Sequence, residues 1–273
     1  MSKTILVPTD FTKVARVALE HAVKTAEVIG GTVTLLNVVA KPADVDPAQD
    51  KLNEEAKIVT ESNSAVKVEC LVRIGNIFDD IGDTAAEIHA ELIFMGTHGA
   101  TGWQKVTGSY ALKVITHSTI PFVVVQEKGI KDTGYDDIVV PLDLHKETKQ
   151  KLEIVSNMSK YFGSKVHLIS AKETDEFLHT QMERNMYFAK QYLGEREIEF
   201  TTTVAETKDF DGEILNLAKK VNADLITIMN IGRGYNIFNS NYEQILITNQ
   251  HNIPVMMVNP KETRVSGGGV FSS

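Results

Sequence analysis

The sequence predicts an α/β protein built as two tandem, doubly wound domains, each a mostly parallel sheet with helices on both faces. Two observations carry this. A pattern recurs at one offset of 133 residues with no net gap. Within each repeat, short β-rich runs alternate with helical segments, and such alternation implies parallel strands joined by right-handed crossovers.

The repeat rests on three matched pairs. Ile5-Leu6-Val7-Pro8-Thr9-Asp10 returns as Ile138-Val139-Val140-Pro141-Leu142-Asp143. Ala90-Glu91-Leu92-Ile93 returns as Ala223-Asp224-Leu225-Ile226, and Ile120-Pro121-Phe122-Val123 as Ile253-Pro254-Val255-Met256. Three matches in one register indicate a duplication, and a domain-sized period indicates a tandem rather than a solenoid. The domains are expected at 1–126 and 136–260. The polar, glycine-containing stretch Gln126–Asp137 joins them, and 261–273, ending RVSGGGVFSS, reads as a flexible tail.

In the first half, Thr4–Val7 is a short strand. Thr12–Ile29 is a helix with Val14, Ala15, Ala18, Ala22, Ala26 and Ile29 on one face, stopped by Gly30-Gly31. Thr32–Val39 is the next strand, about Gln49–Ser62 a helix, Val66–Arg73 extended and Ile77–Ala90 helical. Leu92–Met95 is a strand, Ser109–His117 a helix and Phe122–Val125 the last strand. The second half repeats the order. The last strands of the two halves, Phe122–Val125 and Val255–Val258, are apolar edges that need a partner, so the tandem is expected to pair them as an intrachain pseudo-dimer; a further homodimer stays open.

Composition narrows the function. A formal net charge of −8 argues against general nucleic-acid binding. No apolar run approaches the roughly 20 residues that span a bilayer, and MSKTILVPTDF, broken at Pro8, lacks a leader pattern, so no membrane association and a cytoplasmic location are expected. Cys70, the single cysteine, reads as a strand residue. None of the eight histidines pairs with another His or a Cys at a metal-ligand spacing, so no metal site is expected, and all but His98 are expected at the surface or at helix ends. No nucleophile elbow or paired carboxylates appear, which argues against an enzyme, although slow ATP hydrolysis stays conceivable.

In doubly wound sheets, ligands bind beyond the carboxyl ends of the strands where strand order reverses. Two loops stand out there. One is Pro8-Thr9-Asp10, which places a carboxylate at a strand end. The other is Gly96-Thr97-His98-Gly99-Ala100-Thr101-Gly102, followed by Gly108-Ser109 at a helix start. Glycines allow close backbone approach to an anion, and a helix N-terminus presents unpaired N–H donors. The pattern reads equally as a phosphate cradle or as a plain glycine loop. It lacks the lysine of a Walker motif, and no GxGxxG follows the first strand.

On these residues, VPTDF (7–11), LIFMGTHG (92–99), GSYALKVI (108–115) and STIPFVVV (118–125), the chain resembles the universal stress protein family over residues 3–260. The resemblance implies an adenine nucleotide alpha hydrolase-like fold, a five-stranded parallel sheet of order 3-2-1-4-5 in each half. It also implies ATP, or AMP, as ligand, with Mg²⁺ as an accompanying ion for ATP. Asp10 would contact the ribose or adenine end, with Pro8 and Thr9 as backbone neighbours. Val38 would meet adenine through its backbone. Gly96, His98 and Gly99 would bring backbone toward the ribose and phosphates, and Gly108, Ser109 and the Tyr110 amide would hold the phosphates. The family pattern G-x2-G-x9-G-[ST] is met with one departure: eight residues, not nine, separate Gly99 from Gly108, so the loop is a residue tighter or its helix starts differently.

The second half departs further. Gly96-Thr97-His98-Gly99 is replaced by Met229-Asn230-Ile231-Gly232, and Gly108-Ser109 by Asn241-Tyr242. One nucleotide site per chain is therefore expected. The alternative is a nucleotide-independent scaffold for dimerisation, with an apolar ligand in the second half suggested by Ile231, Ile237 and Phe238.

Overall fold

The computed structural model describes residues 3–97, 114–115, 118–142, 144, 148–230 and 242–260. Ten strands run β1 Thr4–Pro8, β2 Thr32–Val39, β3 Lys67–Ile74, β4 Ala90–Gly96, β5 Phe122–Val125, β6 Asp137–Leu142, β7 Lys165–Ser170, β8 Phe200–Val204, β9 Leu225–Met229 and β10 Val255–Val258. Helices among the described residues are α1 Lys13–Ile29, α2 Val45–Ser62, α3 Ile77–Glu87, α4 Thr148–Phe162, α5 Glu176–Gly194, α6 Phe210–Lys220 and α7 Tyr242–Ile247. Of the expected helix Ser109–His117, residues 114 and 115 are described, and both are helical.

Strand order is β3-β2-β1-β4-β5-β10-β9-β6-β7-β8. Each half thus has the order 3-2-1-4-5, and the two sheets are fused into one through β5 and β10. That pair is antiparallel, with Val124 opposite Val255, Val123 opposite Met256 and Phe122 opposite Met257. The expected edges are therefore buried at the centre, and β3 and β8 form the outer edges.

Both faces of this sheet are covered. In β1, Ile5 and Val7 face the core under α1 and α2, while Leu6 joins Ile81 and Ala85 of α3 on the other side. Each core runs through both halves, so the alternation of side chains along the central strands packs two helical layers at once.

The halves match turn by turn. Gly30 ends α1 at φ +67° and Gly163 ends α4 at φ +69°. His89 and Asn222, also 133 apart, take φ +52° where α3 and α6 turn into the next strand. That reversal shortens the expected helix: α3 ends at Glu87 rather than Ala90, which opens β4. The helix expected from Gln49 begins at Val45, since Pro47 falls in the first turn, where no intrahelical donor is required.

The segment that composition marks as a linker is fixed in place. Tyr135 is fully buried and meets Phe162 edge-on at 5.2 Å, and Lys131 and Gly134 form a bridge. Two histidines also depart from expectation. His21 and His167 are buried, because each ring nitrogen finds a polar partner: Tyr135 and the Lys128 carbonyl for His21, Thr201 and Asp137 for His167. Cys70 lies on β3, where burial pushes its thiol pKa up, with Glu55 adding to the shift, as fits an unreactive strand residue.

Candidate functional site

Order reverses between β1 and β4, and the carboxyl ends of β1, β2 and β4 meet there. β1 stops at Pro8, and the Thr9 N–H donates to the Leu36 carbonyl at 2.8 Å. Phe11 turns the chain at φ +65°, and Thr12 caps α1, its hydroxyl oxygen accepting from the Ala15 N–H at 3.3 Å. The Asp10 carboxylate accepts from the Thr12 N–H at 3.1 Å and its hydroxyl at 2.6 Å. Asn37 ties the turn to β2, its amide donating to the Thr9 carbonyl at 2.7 Å. A tight turn and a helix N-terminus are thus held at the mouth of the sheet.

These elements enclose a cavity of about 120 Å³. Pro8, Thr9, Asp10, Val38 and Gly96, expected to form the site, all line it. His98, Gly99, Gly108, Ser109 and Tyr110 lie outside the described residues. Lining residues that sequence reasoning missed include Thr12, Ala15, Leu36, Ile77, Ile81 and Met95. The apolar ones are ordinary core positions in sequence, and nothing in their local pattern separates those that face the crevice. The cavity has an apolar floor from Leu36, Ile77, Ile81, Met95 and Val114, and a polar rim from Thr9, Asp10, Thr12, Asn37 and Thr97. This suits a flat, largely apolar ring with polar edges.

Val38 supplies the polar edge on β2. Peptide groups alternate sides along a strand. Leu36 offers its carbonyl to Thr9 on the β1 side, while the Val39 carbonyl accepts from the Gly75 N–H on the β3 side at 2.9 Å. The Val38 N–H and C=O therefore point toward β1, beyond the point where β1 has turned away, and make no backbone bond there among the described residues.

Gly96 also has a steric reason within the fold. A Cβ on it would stand 2.6 Å from the Val14 carbonyl oxygen and 2.9 Å from the Ala15 nitrogen. Its lack of a side chain lets the first turn of α1 pack on the end of β4, which shapes the cavity wall.

At the corresponding strand ends of the second half the side chains differ. Leu142 stands for Thr9 and is fully buried, and Met229 stands for Gly96 with 1% exposure. Lys151, also 1% exposed, donates from its ammonium to the Pro141 carbonyl at the end of β6. Asp143, Ile231, Ile237 and Phe238 lie outside the described residues. A groove of about 520 Å³ lies beneath α5, lined by Met182, Met186 and Tyr187 and also by Ser170 and Ala171, the counterparts of Asn37 and Val38. Among the described residues, no three potential metal ligands cluster, and no helix is long and apolar enough to cross a membrane.

Comparison with known proteins agrees with the fold. A family model described as the universal stress protein family matches residues 1–126. The chain is 29% identical to universal stress protein MJ0577 of Methanocaldococcus jannaschii over 158 residues, covering 47% of this chain and 98% of that protein. It is 26% identical to universal stress protein G of Salmonella typhimurium, covering 46% of this chain and all of that protein. Among solved structures, a universal stress protein from Archaeoglobus fulgidus aligns with a TM-score of 0.74 at 17% identity, covering 96% of this chain and 98% of that one. That last match extends the shared fold across both halves.

Proposed function

We propose a function from the premise that this chain belongs to the universal stress protein family: it is a regulatory protein that binds one adenine nucleotide, ATP or AMP, in its first unit, 1–126, and none in its second, 136–260. The convergence of Pro8, Thr9, Asp10, Val38 and Gly96 on one cavity at the strand-order reversal carries this reading. The peptide edge of Val38, without a backbone partner among the described residues, suits the hydrogen-bonding edge of a purine, and the apolar floor suits its ring. The α1 N-terminus adds donors at the rim. Mg²⁺ would accompany ATP through its phosphates rather than through a protein cage.

Binding, not turnover, is the activity this arrangement supports. The Asp10 carboxylate is engaged by Thr12, so it is a poor candidate for a general base. In the second unit, the larger Leu142 and Met229 replace Thr9 and Gly96, and the buried Lys151 donates to the Pro141 carbonyl.

Isothermal titration with ATP, AMP and GTP tests the reading. Saturable heat with one adenine nucleotide per chain, and a rise in Tm with the same ligand, is the expected result. Gly108→Val should remove both. Absence of heat and of any Tm shift with ATP and AMP overturns it in favour of a nucleotide-independent scaffold.

A further inference from the structure

Across the β5–β10 seam, each half reaches into the other through one amide side chain. Gln126, directly after β5, donates from Nε2 to the Asn249 carbonyl at 3.1 Å, just past α7. Asn259, directly after β10 and 133 positions later, donates from Nδ2 to the Ile115 carbonyl at 2.7 Å and to the Ser118 carbonyl. All four of Gln126, Asn249, Asn259 and Ser118 are buried. The two amides are counterparts, yet what they hold differs. Asn259 grips the Ile115 and Ser118 carbonyls, next to Val114 in the wall of the cavity, whereas Gln126 grips the Asn249 carbonyl just past α7.

A third residue aims the Asn259 amide. Asn230 donates from Nδ2 to Asn259 Oδ1 at 2.7 Å, and its own N–H donates to the Val258 carbonyl at 2.9 Å. With Oδ1 engaged by Asn230, the two Nδ2 protons face the two carbonyls of the other half, which is the orientation an amide needs there. Buried polar chains of this kind are rigid when every member is satisfied.

We infer that Asn259 is a positioning residue for the cavity of the opposite half: it anchors Ile115 and Ser118 from across the seam, beside Val114 of the cavity wall, so the second unit sets ligand affinity in the first. The second unit thereby has a role at the site of the first. Asn230, at the start of the second half's loop, is the adjoining member of the chain, and links that loop to the first half's wall. The inference rests on the nucleotide reading for its affinity arm only.

The test compares Asn259→Ala with its counterpart Gln126→Ala in the full chain, well below the Tm of each. Each loses one buried amide at the seam, so a general loss of stability affects both. Asn259→Ala is expected to weaken ATP or AMP binding roughly fivefold or more, as loss of a hydrogen-bonded support would. Gln126→Ala should leave affinity within about twofold of wild type, and Asn230→Ala should fall between. Hydrogen exchange of the unliganded proteins gives a second readout: amides of 114–120 should exchange faster in Asn259→Ala and unchanged in Gln126→Ala. Equal affinity in Asn259→Ala and wild type overturns the inference while leaving the nucleotide reading intact, and equal weakening in both variants overturns it as a mere stability effect. If wild type binds no nucleotide, the functional reading fails, and unchanged exchange at 114–120 in Asn259→Ala then overturns the inference by itself.

Discussion

His21 Nδ1 lies 2.7 Å from the Tyr135 hydroxyl oxygen, joining the middle of α1 to the segment between β5 and β6. The other ring nitrogen, Nε2, faces the Lys128 carbonyl at 3.0 Å. A carbonyl only accepts, so Nε2 carries the proton and Nδ1 accepts from tyrosine. Burial holds the Tyr135 hydroxyl protonated, with the Asp224 charge adding to the shift, and so keeps it a donor. The neutral imidazole is thus the form this contact requires.

Stability should therefore fall as the solution is acidified below neutrality. Burial lowers the His21 pKa from 6.5 to about 4. The unfolded chain then binds this proton more readily than the folded one, so the contribution is complete above pH 6.5 and is lost between pH 6.5 and about 4. By pH 5 the loss should be on the order of 2 kcal/mol. Urea unfolding at pH 7.5 and pH 5 measures it; a His21→Gln variant should show a shallower pH dependence, and an unchanged slope contradicts the assignment.

Tyr135→Phe keeps the ring that packs edge-on against Phe162 but removes the proton that His21 Nδ1 accepts. A buried acceptor left without a donor costs about 1–3 kcal/mol. The fall should appear in the denaturation midpoint at neutral pH.

Asp224, 4% exposed, accepts from the Lys131 ammonium at 2.9 Å and from the backbone N–H groups of Asp136 and Asp137. Asp224→Asn can keep an oxygen facing the three donors, which converge on one carboxylate oxygen, but it removes the charge paired with Lys131 and Lys128. Roughly 2 kcal/mol should be lost, and limited proteolysis should cut first between residues 126 and 136. Wild-type resistance of that segment in the variant would contradict the role given to Asp224.

Gly96→Ala should destabilise the free protein by about 1–3 kcal/mol, since its Cβ meets helix backbone rather than a movable side chain. A change confined to ligand affinity would show that the glycine serves ligand approach instead.

Val38→Pro separates the ligand contact from the sheet. The Val38 N–H points away from β3, so proline there removes no β2–β3 ladder bond. Nucleotide affinity should drop roughly tenfold or more with a stability loss near 1 kcal/mol. Unchanged affinity would exclude Val38 from the ligand contact.

Much of the fold and part of the site were legible in the chain. Duplicated motifs such as ILVPTD and IVVPLD, set 133 apart, determined the repeated order of strands and helices. Strand-end residues at the reversal, Pro8 to Asp10 and Gly96, determined where the crevice lies, because alternating β and α segments permit few chain paths. The buried states of His21 and His167 were not legible, since their partners Tyr135 and Thr201 are 114 and 34 residues distant.

Local pattern decides what one residue does within its own element; long-range packing decides what it meets. Only the tertiary structure showed that Gly96 yields to the backbone of α1, that Val38 turns a peptide edge with no backbone partner among the described residues toward β1, and that Asn259 grips the opposite half. The same strand-to-turn motif holds Pro8 and Pro141, yet the two strand ends differ, because a buried Met229 stands where Gly96 lines the cavity and a buried Lys151 donates to the Pro141 carbonyl.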